Sequence, residues 1–378
     1  MRTRATPVLL LSLMACSPAA APPAADQNPA GPPAEAWTLE SVTADTTDGL
    51  RILVLHDMEG LSGQSDPKTF NFGEKEYPRG QEMLAADVNA VIEGLYAGGA
   101  TEVWVVDGHG SGNPEPDVRR DLLDKRAQQI LRDSTFDAYF DLVTPKAFDG
   151  VAVVGMHAKT GSRGFASHTF TLGIGLKVNE KYITETELVG LSWGRQGIPV
   201  IFGSGDDRLA ADLATMPWIE FVTVKTATAA DSAAPRPVAE AHADLTAHAK
   251  TAVENLRGGK AKAMKVSMPL TVGVRAVYPA DLSSLDGVPG INFADSTVTW
   301  RADSIGPAYK SMVALVGVAT SAYSRIFIQS LAANPKTRDA MSGFGHLLEK
   351  AWFDYESGRW TPPPPRTPQA GRKYHGYT

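Results

Sequence analysis

The chain has 378 residues, with 36 Lys and Arg against 42 Asp and Glu and a formal net charge of −6; hydrophobic residues make up 43% and charged residues 21%. These values suit a folded globular protein of one large or two medium domains, and the acidic balance excludes a general nucleic-acid binder, which carries a basic stripe. A single cysteine, Cys16, excludes any disulfide within the chain and any zinc site built on thiolates, so a bound metal must rest on His, Asp and Glu.

In chain order, the first segment reads MRTRATPVLLLSLMAC. Arg2 and Arg4 precede a short apolar run, Val8 to Met14, and a small residue stands before Cys16. The run is shorter than the roughly 20 apolar residues that cross a bilayer, so residues 1–16 read as a secretory signal. The segment resembles a bacterial lipoprotein signal. That resemblance implies lipidation of Cys16, export, and a soluble domain anchored to a membrane and facing the periplasm. Residues 17–45 are assigned to a Pro/Ala-rich tether, and from Ser17 to about Glu35 no secondary structure is expected.

Next come short apolar runs that alternate with helical periods. Arg51–Leu55, Glu102–Val106, Val151–Gly155, Pro199–Phe202 and Phe221–Val224 read as buried strands. Pro78 to Ala97 carries Met83, Val88, Val91 and Leu95 at helical spacing, with Gly98-Gly99 as its stop. A further helix is expected from Glu185 to Gln196, just before the fourth strand. Strands alternating with helices predict an α/β fold: a mostly parallel sheet flanked by helices. This catalytic domain is placed at 46–260. A smaller C-terminal α+β subdomain is placed at 261–335, with strands at Val266–Val274 and Thr297–Trp300 and one long helix over Pro307–Ala332. Residues 336–378 form an extension with a Pro-rich tail.

Ligands of an open α/β sheet bind at the carboxyl ends of its strands. After the first predicted strand stands His56-Asp57-Met58-Glu59-Gly60; after the second, Asp107-Gly108-His109-Gly110; after the third, Met156-His157-Ala158; after the fourth, Gly205-Asp206-Asp207-Arg208. If the strands are neighbours, these groups converge on one edge. Asp57 and Glu59, two residues apart in extended chain, point to the same side. Held that close, they repel unless a cation lies between them; Gly60 then turns the chain away. His109 and His157 supply the imidazoles that accompany carboxylates at catalytic zinc, and Glu185 is a fifth candidate. Three carboxylates balance two divalent ions that share a hydroxide better than they balance one ion. Asp107 is expected either to support His109 or to hold the turn. Asp206 and Asp207 precede a helix and read as caps.

These motifs together resemble the zinc-dependent D-aminopeptidases of the DppA type, peptidase family M55. The resemblance rests on Asp57-Met58-Glu59-Gly60, Tyr77-Pro78-Arg79-Gly80, Gly98-Gly99-Ala100-Thr101-Glu102-Val103, Asp107-Gly108-His109, Gly155-Met156-His157-Ala158, Ser167-His168 and Gly205-Asp206-Asp207-Arg208, and it runs over roughly 51–320. It implies that Asp57, Glu59, His109, His157 and Glu185 hold two zinc ions, or another divalent metal, and that His168 is the catalytic histidine. A two-residue slip in the spacing would select Glu187 in place of Glu185. His56 departs from the family pattern and is expected to be incidental, pointing away from Asp57.

The expected activity is removal of an N-terminal residue, D-configured by resemblance, from short peptides. The metals would bind the free amine and polarise the scissile carbonyl, metal-activated water would attack, and His168 would move protons or stabilise the oxyanion. An exported enzyme of this kind would meet D-Ala-containing cell-wall fragments. The resemblance also implies a closed homo-oligomer. Two alternatives stay open from the residues: a metal-dependent hydrolase of other peptides, amides or phosphoesters, and a lipid-anchored solute-binding protein.

Overall fold

The computed structural model describes residues 36–131, 137–140, 142–334, 337, 344–359 and 361. The signal, Cys16, residues 17–35 of the tether and the Pro-rich tail from Pro362 lie outside the described residues. The strands are β1 (Thr38–Val42), β2 (Arg51–His56), β3 (Glu102–Asp107), β4 (Gln128–Gln129), β5 (Gly150–Val154), β6 (Ile174–Val178), β7 (Lys181–Ile183), β8 (Val200–Asp206), β9 (Glu220–Ala229), β10 (Ser232–Pro235), β11 (Ala261–Lys265), β12 (Leu270–Ala276), β13 (Asn292–Ala294) and β14 (Thr297–Ala302). The helices are α1 (Tyr77–Ala97), α2 (Glu185–Gly194), α3 (Asp207–Asp212), α4 (Val238–Arg257), α5 (Ile305–Thr320), α6 (Tyr323–Ala333) and α7 (Phe344–Glu356).

The main sheet has seven strands in the order β10-β9-β8-β5-β2-β3-β4. Every neighbouring pair is parallel except β9 with its edge partner β10. The fold is α/β, as the alternation of elements predicts. β2 and β5 are apolar almost throughout because both faces are covered. Along β2, Ile52 and Val54 face one core with α1 and α4, while Leu53 and Leu55 face the other with α2, α5 and a second sheet. Each such fully buried aliphatic side chain contributes roughly 1.5–3 kcal/mol. α1 buries Leu84, Val88, Val91, Ile92 and Leu95 at helical spacing and stops at Gly98-Gly99, where Gly99 takes φ +107°.

The second sheet departs from the predicted arrangement. Its order is β13-β14-β12-β6-β7, so it is not purely C-terminal: the β6–β7 hairpin comes from inside the span assigned to the catalytic domain. Asn179 and Glu180, both at positive φ, form the tight turn of that hairpin. The strand expected over Val266–Val274 starts only at Leu270, as β12, and a separate strand, β11, ends just before the expected span in a different sheet. β11 pairs with β1, and β12 pairs with β6 and β14. Pro269, which has no N–H for a ladder, lies in the break. β1 itself lies within the 17–45 tether, which therefore ends in paired strand. The single helix expected over Pro307–Ala332 is α5 followed by α6. At the break the Ser321 hydroxyl donates to the Val318 carbonyl at 2.6 Å, a local bond that competes with helix continuation.

Candidate metal centre

The carboxyl ends of β2, β3, β5 and β8 lie side by side because those strands are neighbours in one parallel sheet. Gly60 is needed there for space rather than for a special turn: a Cβ on it would stand 2.0 Å from the Met156 carbonyl oxygen. Gly205 is confined in the same way, 2.4 Å from that oxygen. The two glycines let the loops after β2, β5 and β8 close on each other.

That approach brings Asp57, Glu59, His109, His157 and Glu185 together, all buried. His109 Nδ1 lies 2.9 Å from Asp57 Oδ1 and 3.2 Å from Glu59 Oε2. His157 Nε2 lies 3.4 Å from Asp57 Oδ2 and 3.5 Å from Glu185 Oε1. The two oxygens of Asp57 thus face two imidazoles. Three groups of metal-ligating atoms result among the described residues, Asp57/Glu59/His109, Asp57/His157/Glu185 and Glu59/His157/His168, each with its atoms within 4.8 Å of one another.

The donor atoms have their tautomers set from outside. His109 Nε2 donates to the Phe70 carbonyl at 3.1 Å, leaving the Nδ1 lone pair toward the carboxylates. His157 Nδ1 donates to the Ala158 carbonyl at 3.0 Å, leaving Nε2 buried with no hydrogen-bond partner. A buried ring nitrogen with a free lone pair, aimed between two carboxylates, is what a cation requires. Charge agrees. Burial raises Glu59 and Glu185, and the charge of Asp57 adds to both. Burial opposes charge on His157, but Glu185 and Asp57 outweigh it and lift it to about 10. Burial would raise Asp57 as well, yet the neighbouring His109 and His157 side chains hold it well below the usual carboxylate range. Three carboxylates at this depth demand positive charge, from protons or from metal. Oxygen and imidazole donors without a thiolate suit zinc and related divalent ions.

His168 stacks on His157, with ring centroids 3.9 Å apart and planes at 18°. Its Nδ1 donates to the Ala166 carbonyl at 2.7 Å. Burial and the neighbouring His157 hold it neutral, with its pKa down at about 4. The loop that carries it is strained: Arg163, Ala166 and Phe170 have φ of 57°, 52° and 66°. Non-glycine residues at such angles persist only where the surroundings hold them. Here Asp206 Oδ2 accepts from Phe165 N at 2.8 Å, and Glu185 Oε1 accepts from Phe170 N at 2.7 Å.

Glu185 and Glu187 have different surroundings. The second oxygen of Glu185 accepts from the Tyr139 hydroxyl. Glu187 instead closes a capping box with Thr184, accepting from its N–H at 2.8 Å, and pairs with Lys181 at 2.6 Å and the Thr215 hydroxyl at 2.7 Å. Asp206 caps α3, as expected of the pair, but Asp207 does not; it accepts from Ala227 N at 2.7 Å. Asp107 holds the turn, accepting from His109 N at 2.9 Å and Asp117 N at 2.5 Å. His56 is buried, belongs to none of the metal-ligating groups, and has no hydrogen-bond partner; Asp107 Oδ1 lies 3.9 Å from its Nδ1.

One important residue carried no sequence signal. Lys225, on β9, is fully buried. Its Nζ donates to the Glu59 carbonyl and to Gln64 Oε1 at 2.6 Å, and sits 4.1 Å over the Phe165 ring. Gln64 in turn donates to the Met58 carbonyl at 2.7 Å. Lys225 therefore ties the Asp57–Glu59 loop to the His168 loop. Lys225→Met is expected to weaken metal affinity by roughly 10–100-fold, measured by competition with a chromogenic chelator. Unchanged affinity in a folded variant would show that the loop needs no such tie.

Known proteins with similar sequence or structure follow the same span. The M55 peptidase model, described as D-aminopeptidase, matches residues 50–314. A D-aminopeptidase of Bacillus subtilis (strain 168) is 25% identical over 277 residues, which are 71% of this chain and 98% of that protein. The solved structure of Zn-dependent D-aminopeptidase DppA from Bacillus subtilis, a self-compartmentalizing protease, superposes with a TM-score of 0.64 at 24% identity, covering 72% of this chain and 98% of that one.

Proposed function

The chain belongs to the M55 family of D-aminopeptidases, a family of peptide hydrolases, and from that premise we propose that it is a zinc-dependent, two-metal enzyme releasing N-terminal D-residues from short peptides. The observation that carries the reading is the Asp57 carboxylate, whose two oxygens face the lone pairs of His109 and His157. Asp57 would be shared. Glu59 and His109 would complete one metal position, and His157 and Glu185 the other. Such ions supply Lewis-acid polarisation of a carbonyl and a water of low pKa.

The residues of the chain do the rest. His168, with its proton fixed on Nδ1, offers Nε2 as the proton acceptor beside the metal-ligating groups and can return that proton to the leaving amine. Tyr139 and the Phe170 N–H orient Glu185. The buried surroundings strengthen each of these interactions. Lipidation of Cys16 and export would put the enzyme where D-Ala-containing cell-wall fragments occur. The self-compartmentalizing relative supports assembly into a closed homo-oligomer.

The test is a chelated protein of verified zero metal content. Hydrolysis of D-Ala-D-Ala should be absent and should return with zinc, up to two ions per chain. Zinc at about 1,000 times its Kd should also stabilise the fold by about 4 kcal/mol, read as a higher melting temperature. Parallel arms with L-Ala-L-Ala and a phosphoester decide the substrate class. Full turnover by the metal-free protein would sink the reading.

A further inference from the structure

The peptidase span ends near residue 314, but the chain continues with α6 and α7. These helices are rich in large apolar side chains, yet none of their described residues is buried. On α6, Ile326, Phe327 and Ile328 are exposed; on α7, Leu347, Leu348 and Trp352 are exposed. Together with α5, the stretch Ile305–Ala333 is long and apolar enough to cross a bilayer by length and composition, and only 11% of its most apolar window is buried. It does not read as a crossing helix. α5 lays Ala308, Tyr309, Met312 and Ala319 into the core, and the helix breaks before α6. An apolar field of this kind on a folded chain marks an interaction surface.

Charge identifies the occupant. From Tyr323 to Thr378 there are eight Lys and Arg against four Asp and Glu, a net of +4 on a chain whose total is −6. The preceding part of the chain is therefore net negative, and an anionic surface repels it while attracting the Lys and Arg that flank α6 and α7, whose own residues are Arg325 and Lys350 against Glu349, Asp354 and Glu356. A symmetric dimer through the same segment would set two such positive segments against each other. Exposed Trp, Phe and Leu on helices flanked by Lys and Arg form the composition that settles into the headgroup layer of a bilayer. We propose that α6 and α7 form an interfacial docking surface for an anionic phospholipid membrane, on which they lie without crossing. This contact is separate from the lipid at Cys16 and would fix how the domain faces the membrane.

The test uses the full chain with Cys16→Ser, which cannot take a lipid at that position, and compares it with the same chain carrying Phe327→Glu, Ile328→Glu and Trp352→Glu. Both share one N-terminus, so any difference between them belongs to the C-terminal segment. The parent should sediment with phosphatidylglycerol-containing vesicles, less so with pure phosphatidylcholine vesicles, and less so as salt rises. The substituted chain should partition at least about tenfold more weakly, with an unchanged circular-dichroism melting curve. Equal partitioning of the two chains, or equal binding of the parent to neutral and anionic vesicles, overturns the proposal. So does loss of a concentration-dependent oligomer on substitution with no change in vesicle binding, which would make a second copy the occupant. None of these readouts depends on peptidase activity.

Discussion

Asp57→Asn is expected to lower kcat/KM for D-Ala-D-Ala by at least about 10³-fold. Asp57 serves both halves of the centre, with Oδ1 2.9 Å from His109 Nδ1 and Oδ2 3.4 Å from His157 Nε2. Asparagine keeps the shape but turns one of those oxygens into an NH₂ group. A donor would then face a ring nitrogen whose lone pair should meet a cation. Metal content, measured by mass spectrometry after dialysis, should fall from two ions per chain toward one or none. Full metal content with normal turnover would overturn the shared-carboxylate assignment.

The second large effect separates two glutamates that stand two residues apart. Glu185→Gln should reduce turnover by about 10²-fold or more and empty the metal position beside His157. The fold should hold, because the amide oxygen can still accept from Phe170 N–H while the amide NH₂ donates to the Tyr139 hydroxyl oxygen. Glu187→Gln should do the opposite. It leaves Lys181, nearly buried, without its charge partner, which costs roughly 3 kcal/mol, seen as a lower urea midpoint. Metal content and turnover at low temperature should stay within a few-fold of the parent. If Glu187→Gln emptied the site and Glu185→Gln did not, the placement of α2 relative to the site would be wrong.

Much of this arrangement was legible in the sequence. Apolar runs such as Arg51–Leu55 and Val151–Gly155 are too short for helices and too uniform for a half-exposed sheet, so they fix a covered parallel sheet. The carboxyl ends of such strands then place Asp57, His109 and His157 on one edge. Even the choice between Glu185 and Glu187 had a local signal: Thr184 followed three residues later by Glu187 is a capping box, which occupies Glu187. What was not legible depends on distant contacts. Nothing near Lys225 in sequence says that its ammonium will meet the Glu59 carbonyl. Ala166 and Phe170 have no compositional mark of their positive φ. The break between β11 and β12 had a cue in Pro269, but their membership of different sheets follows from where β1 and β6 lie.

The sheet that recruits β6 and β7 also sets an order of events in biosynthesis. Glu185 follows directly on this hairpin, and the hairpin joins its sheet through β12. β12 is made long after the last of the five converging residues. A growing chain therefore carries Asp57, Glu59, His109, His157 and Glu185 while Glu185 still lacks the scaffold that seats it. Domains form as their segments become available during synthesis, so the proposed hydrolytic centre is expected in the finished polypeptide and not in the nascent one.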